Sequence, residues 1–330
     1  MPPEGRENMV LITGCTGLLG RTLSRKLRER GVPIRGFDLW KTRDAGDFDE
    51  FIDGSILDYE LVFDACEGVD TVYHLLDVEY PSRYGRRFMK KVNVKGTETV
   101  LKAALEQEVK KVVFLSSAKV YGKPGEVPVS EDDPARPNTP YGKDKVRAEK
   151  ICKKYIEKYE MDITVLRPTT MTGPGVDDAM ILIILYMALG MGDSSRLYVA
   201  GDGDSRFQLV HPDDAAEAFI LASSSDASRG NTYNLGSDDV PTQAEQLARI
   251  VERTGLDCEV RRITPLFTRI LSFILKPLDI SYLRKEHVFF ILSNFLLDCA
   301  TAKKDLGWKP ARNNVDIFVE TIDWYRKEKL

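Results

Sequence analysis

The sequence predicts an α/β fold: a doubly wound parallel sheet followed by a smaller C-terminal lobe. Three observations carry this reading. Apolar, strand-length runs alternate with amphipathic stretches as far as Pro168. A glycine-rich turn joins the first such run to the first helix. Beyond Arg167-Pro168 the runs shorten while Pro and Gly become frequent. Strands that read as continuous apolar runs, separated by helices, are those of a parallel sheet covered on both faces.

In chain order, Met9–Gly14 is a strand, Leu18–Arg30 a helix, and Pro33–Asp38 a second strand. Strands are expected at Phe51–Ile56, Thr71–Leu75, Val112–Ser117 and Ile163–Leu166. Helices are expected at Tyr59–Cys66, Arg87–Gln107 and Tyr141–Tyr159. Shorter strands follow at Leu197–Ala200, Phe207–Val210 and Tyr233–Leu235. The chain closes with a helix stopped by Gly307 and Pro310, then a last helix over Val315–Lys327. Two apolar stretches remain. Ala179–Met191 has thirteen residues, short of the about 20 that span a bilayer, and reads as a buried helix. Pro265–Leu278 places Phe267, Ile270, Leu271, Ile274, Leu275 and Leu278 on one helical face, suited to cover a substrate cleft or, less simply, to lie on a membrane.

Composition narrows the function. A net charge of -4 offers no general attraction to polyphosphate, so nucleic acid is not expected as a partner. The five cysteines, Cys15, Cys66, Cys152, Cys258 and Cys299, are scattered with no C-x-x-C pair and no metal-ligand spacing. They predict reduced thiols in a cytoplasmic protein with no metal site. The polar N-terminus runs directly into a strand and does not read as a signal peptide.

The glycine turn is Thr13-Gly14-Cys15-Thr16-Gly17-Leu18-Leu19-Gly20. Gly14 permits a tight turn, Gly17 lets backbone approach a pyrophosphate, and Gly20 lets the helix pack against the strand. The helix N-terminus adds free N–H groups and a positive dipole. Asp38 closes the second strand, 18 residues after Gly20, where a carboxylate accepts from an adenosine ribose hydroxyl and repels a 2′-phosphate. NAD is therefore expected rather than NADP, with Lys41 and Arg43 close enough to weaken that preference. Further along, Tyr141 and Lys145 stand four residues apart on a predicted helix, 24 residues after Ser117. They share a face, and the neighbouring ammonium is expected to favour the phenolate and make Tyr141 a proton-transfer group.

Together with Val72-Tyr73-His74-Leu75, Asn93-Val94-Lys95-Gly96-Thr97, Ser116-Ser117-Ala118-Lys119-Val120-Tyr121-Gly122, Pro140-Tyr141-Gly142-Lys143-Asp144-Lys145, Leu166-Arg167-Pro168 and Gly201-Asp202-Gly203 through Asp214, these motifs occur in one order and register. From about residue 9 to 327 the chain resembles the extended short-chain dehydrogenase/reductase family, in its NAD-dependent nucleotide-sugar epimerase/dehydratase branch. The resemblance implies a Rossmann-type domain over 1–168, a mainly substrate-binding lobe over 169–330, and a return of about 207–236 to the first domain. It implies Ser117, Tyr141 and Lys145 as the catalytic set. It implies cofactor contacts from Gly14, Thr16, Gly17, Leu18, Leu19, Gly20, Asp38, Ser55, Ile56, Leu75, Leu76, Asn93, Tyr141, Lys145 and Pro168. Asn93 reads equally as a structural tie, and Asp214 as a helix cap. Substrate contacts are implied for Ser117, Thr170 and Arg206, the last suited by its guanidinium fork to a diphosphate. A homodimer formed through the helices at about 92–107 and 141–159 is implied as well.

Departures from the family pattern are informative. Ser55 replaces an acidic residue toward the adenine. Leu76-Asp77 brings bulk and a charge where small residues are usual. Thr170 and Thr172 stand where Asn and Tyr are common. Ala118-Lys119 occupies the place where dehydratases hold a carboxyl acid and base, which disfavours dehydration and leaves reversible hydride transfer. A UDP-hexose 4-epimerase type is expected first. A hydroxysteroid-dehydrogenase-like or ketone-reducing enzyme is the alternative, suggested by the segment from Pro265 through Arg284-Lys285-Glu286-His287 to Trp308. A non-enzymatic NAD-binding module is the third, since fold does not fix function.

Overall fold

The computed structural model describes residues 8–40, 48–79, 85–176, 196–200, 202–255, 259–263 and 294–329. Lys41, Arg43, Cys258, the two apolar stretches Ala179–Met191 and Pro265–Leu278, and Arg284 to His287 lie outside the described residues. The first half runs β1 (Val10–Thr13), α1 (Leu18–Glu29), β2 (Ile34–Asp38), β3 (Glu50–Asp53), α2 (Tyr59–Cys66), β4 (Thr71–His74), α3 (Gly85–Lys90), a π-helical turn (Lys91–Gly96), α4 (Thr97–Glu106), β5 (Lys111–Leu115), α5 (Pro140–Tyr159) and β6 (Ile163–Pro168). Then come β7 (Thr170–Met171), β8 (Arg196–Ala200), β9 (Leu209–Val210), α6 (Pro212–Ser224), β10 (Thr232–Leu235), α7 (Gln243–Thr254), β11 (Glu259–Ile263), α8 (Ala300–Leu306) and α9 (Asn314–Lys329).

Seven strands form one sheet in the order β10-β6-β5-β4-β1-β2-β3, and every pairing in it is parallel. Strand order reverses between β1 and β4, so a crevice opens there at the carboxyl ends of the strands, the usual ligand position in such sheets. The central strands are buried along their length, as their unbroken apolar reading requires. Each face is covered by its own core. Leu19, Leu23 and Leu27 of α1 join Ala215 and Phe219 of α6 and Trp308 on one face. Val62, Val100, Leu101, Ala148 and Cys152 of α2, α4 and α5 cover the other. A third, smaller cluster links Leu209 and Ile250 to Ile317, Phe318 and Ile322 of α9.

Several boundaries differ from the sequence expectation for identifiable reasons. The strand read as Phe51–Ile56 ends at Asp53, because Asp58 caps α2 by accepting from Leu61 N and the chain turns to reach it. The strand read as Phe207–Val210 shortens to two residues, since the Gln208 amide bonds Ser237 O and Leu297 N at 2.8 and 2.7 Å. The helix read as Arg87–Gln107 widens into a π turn at its middle. Helix α7 went unread and α6 was read only as a start at Asp214, although both starts carry signals. The α6 start has Pro212 after a His211 cap, and the α7 start has the reciprocal Thr242/Glu245 capping box. Asp214 is not the cap of α6. It sits in the first turn and accepts from Arg312 N at 3.1 Å, fixing the chain that leads into α9. Helix α8 does stop at Gly307, which takes the left-handed conformation at φ 64.

Candidate active site

The turn after β1 is shaped by close approach. Gly14 has φ +73, and a Cβ there would lie 2.7 Å from Leu76 N and Cα. A Cβ on Gly20 would collide with the Gly14 carbonyl, so α1 can pack on its strand only with glycine here. Gly17, by contrast, is exposed and would meet nothing closer than 3.4 Å. It is the N-cap of α1 and provides no capping side chain, so the N–H groups at Leu18 and Leu19 begin the helix uncapped. An open, uncapped, positively polarised helix start fits a pyrophosphate, and the residues present therefore fit a bound dinucleotide. The Leu18 side chain packs toward the small C-terminal cluster, while Leu19 is buried against the sheet.

Asp38, at the end of β2, accepts from Thr16 N at 3.1 Å and Thr16 Oγ1 at 2.7 Å through one oxygen, and from Leu39 N at 2.8 Å through the other. The carboxylate thus anchors the glycine turn. Ser55 Oγ accepts from Leu57 N at 3.3 Å, and Ile56 is buried against Gly96.

The exit from β4 is held from both sides. Thr97 Oγ1 donates to Asn93 O at 2.8 Å, so it accepts from His74 Nε2 at 3.1 Å. That tautomer leaves His74 Nδ1 to accept from Thr13 Oγ1 at 2.8 Å, and Thr13 in turn accepts from Leu76 N at 3.3 Å. Asn93, buried in the π turn, clamps Val78 through both amide atoms, accepting from its N at 2.8 Å and donating to its O at 2.9 Å. Leu75 is buried beneath this segment. Burial, reinforced by the Lys145 charge, lowers the His74 imidazole from 6.5 to about 3. Its ring is expected to stay neutral. NMR of the His74 ring protons should show no titration between pH 8 and 5, and a midpoint near 6.5 would contradict the network. The sign follows: an unfolded chain binds this proton below about 6.5 and the folded one does not, so His74 costs stability as pH falls through that range.

On the neighbouring strand, Ser117 follows β5 and starts a short 3-10 turn, its Oγ accepting from Lys119 N at 3.2 Å. Thr139 caps α5 through Gly142 N at 3.0 Å, Pro140 presets its first turn, and Tyr141 follows directly. Gly142 has no room for a Cβ against the Lys119 carbonyl, which lets α5 lie on the 118–120 turn. Ser117, Lys119 and Tyr141 consequently line one cavity of about 220 Å³, with Leu19, Asp77, Glu79, Pro168 and Thr170 also on its wall. Arg206 is exposed and not among its lining residues. Its carbonyl accepts from the N–H of Phe295, which lines the cavity, at 2.9 Å.

Tyr141 and Lys145 share a face as expected, yet Asp77 lies between them. The Tyr141 hydroxyl donates to Asp77 Oδ2 at 2.5 Å, and Lys145 Nζ pairs with the same oxygen at 2.8 Å while donating to Leu115 O at 2.6 Å. The expected phenolate is thereby overturned. Burial first, and then the charges of Asp77 and Glu79, push the phenol well above its ordinary 10.0. Burial works to raise the Asp77 carboxyl too, but the charge and hydrogen bond of Lys145, the Tyr141 hydroxyl and Lys119 hold it below its ordinary value. Lys119 pairs with Glu79 across the cavity wall. Behind Ser117, Glu149 accepts from Ser116 Oγ at 2.5 Å and from Arg167 Nε and Nη2 at 2.9 and 2.8 Å. Sequence reading singled out Asp77 only as an unusual charge and missed Glu79 and Glu149. Glu149 stands one helical turn beyond Lys145 on α5, and that spacing was the available signal.

Residues 10–236 match the family model described as the NAD dependent epimerase/dehydratase family. The chain is 29% identical to uncharacterized protein y4nG of Sinorhizobium fredii over 97% of its own length and 79% of that protein. It is 31% identical to a UDP-glucose 4-epimerase of Halalkalibacterium halodurans, over 96% of each chain. Among solved structures, UDP-glucose 4-epimerase from Thermotoga maritima with UDP-glucose superposes with a TM-score of 0.79 at 25% identity, covering 97% of this chain and 99% of that one.

Proposed function

Because the chain belongs to the NAD-dependent epimerase/dehydratase family, we propose that it is a nucleotide-sugar epimerase of the UDP-hexose 4-epimerase type. The observation that carries this reading is that Ser117 and Tyr141 line one cavity with Leu19 of the first helix and with Asp77, whose carboxylate pairs with Lys145. The likeness to UDP-glucose 4-epimerases supports it. Gly14, Thr16, Gly17, Leu18, Leu19 and Gly20 would hold the pyrophosphate end of NAD and Asp38 its adenosine ribose, with Ser55 and Ile56 toward the adenine. Leu75, Leu76, Asn93 and Pro168 would shape the channel between, and Lys145 would hold the nicotinamide ribose. NAD supplies the hydride acceptor and donor.

The chain's own residues move the proton. Tyr141 exchanges it with the sugar hydroxyl, and Ser117 donates a hydrogen bond to the same oxygen, where negative charge develops. Thr170, on the cavity wall, would contact the sugar, and Arg206 would pair with the substrate diphosphate. Ala118 and Lys119 provide no carboxyl acid or base, which supports epimerisation over water loss. In this reading residues 1–168 with β10 and α6 form the cofactor domain, the remainder mainly the substrate lobe, and α4 and α5 the contact of a homodimer.

Incubation with UDP-glucose or UDP-galactose and supplied NAD is the direct test. Interconversion without net formation of reduced nicotinamide is expected, and its absence across a panel of nucleotide sugars would reject the reading. A ketone-reducing activity is the second reading, because a Tyr141 held protonated is already a proton donor. Stoichiometric oxidation of reduced nicotinamide by ketone substrates distinguishes it.

A further inference from the structure

We propose that Asp77 is a positioning residue of this centre, one that gathers the Tyr141 hydroxyl and the Lys145 ammonium onto a single carboxylate oxygen and keeps Tyr141 a proton donor in the substrate-free protein. It builds on the assignment of Tyr141 as the proton-transfer group and goes beyond it by naming what sets that group's protonation state.

The geometry carries it. Both short contacts, 2.5 Å from Tyr141 and 2.8 Å from Lys145, fall on Oδ2, so the cation that would otherwise stabilise a phenolate is turned toward the carboxylate. Asp77 is not a loose surface acid. Its segment is tied to β1 through Leu76 N and Thr13, and to the π turn through both amide atoms of Asn93. Backbone placement thus aims the carboxylate at the hydroxyl. From the 75–79 segment Glu79 also faces Tyr141. Lys119 faces it from the turn after β5, 5.4 Å from its ring centroid, and Lys145 from α5 at 5.5 Å, while His74 of β4 lies neutral behind Lys145. Among the described residues it is Asp77 that meets both the Tyr141 hydroxyl and the Lys145 ammonium through a hydrogen bond or ion pair.

Delivering a proton to a carbonyl oxygen requires Tyr141–OH, whose hydrogen bond to Asp77 must first break. Taking a proton from a hydroxyl requires the Tyr141 phenolate, so the phenol proton must first pass to solvent, leaving a second negative charge beside Asp77. Asp77 therefore slows the oxidative half of a hydride exchange at neutral pH.

The test reads Tyr141 without substrate or cofactor, so its failure is separable from failure of the epimerase assignment. Tyrosinate absorbance is titrated in wild type against Y141F, and in Asp77→Asn against the double variant D77N/Y141F. The difference isolates one phenol among thirteen tyrosines. In Asp77→Asn the Tyr141 step should appear at least about 2 pH units below its wild-type position, with the Lys145 charge now facing the phenol. The oxidative limb of the pH–rate profile should move down in parallel. Asp77→Ser, which also removes the charge, repeats the measurement if the amide variant fails to fold by circular dichroism. A Tyr141 step at the same pH in wild type and both variants overturns the proposal.

Discussion

Replacing Tyr141 with Phe is expected to reduce turnover by about three orders of magnitude, the middle of the range for a positioned acid–base group. The substitution removes one oxygen and little else. The ring is 8% exposed, and its packing between the ammonium groups of Lys119 and Lys145 is retained. Asp77 keeps its pairing with Lys145, so no buried carboxylate is left alone. NAD affinity should accordingly survive, and the loss should fall on kcat. Steady-state kinetics paired with calorimetric NAD titration separate the two. Turnover within tenfold of wild type would remove Tyr141 from the proton path.

The largest effect on stability is expected at Glu149. Its carboxylate is 13% exposed, its partner Arg167 is 11% exposed, and their two parallel bonds are joined by the Ser116 hydroxyl. Arg167 cannot shed its charge in response, because a guanidinium stays protonated in proteins. Glu149→Ala therefore strands a largely buried cation and should cost about 3–5 kcal/mol. The remaining bonds from Arg167 Nη1 to the Tyr121 hydroxyl at 2.8 Å and to the Glu131 carbonyl at 3.3 Å soften this only in part. Equilibrium denaturation measures it. A loss under about 1 kcal/mol, the level of an exposed pair, would show that water reaches Arg167.

The sheet was legible in the sequence because its central strands are apolar on both faces and its first turn demands glycine at Gly14 and Gly20, features that local sterics impose. The Tyr141 to Lys145 spacing was legible for the same reason: helix periodicity places both on one face. The protonation state of Tyr141 was not. It depends on Asp77, 64 residues earlier in the chain, and only the fold brings the two within 2.5 Å. The short strand at Leu209–Val210 was obscured similarly, since Gln208 bonds chain segments that the sequence places far apart. The starts of α6 and α7 were readable from the Pro212 and Thr242/Glu245 capping patterns alone.

The hydrogen bonds from Leu76 N through Thr13, His74 and Thr97 to Asn93 O all point the same way, and Asn93 closes back on Val78. Its two ends are a backbone donor and a backbone acceptor, so no member can reverse its proton, and the loop after β4 is expected to open as one unit. Amide hydrogens there would then exchange at the pace of the surrounding core, and a loop by its shape would behave as sheet by its dynamics.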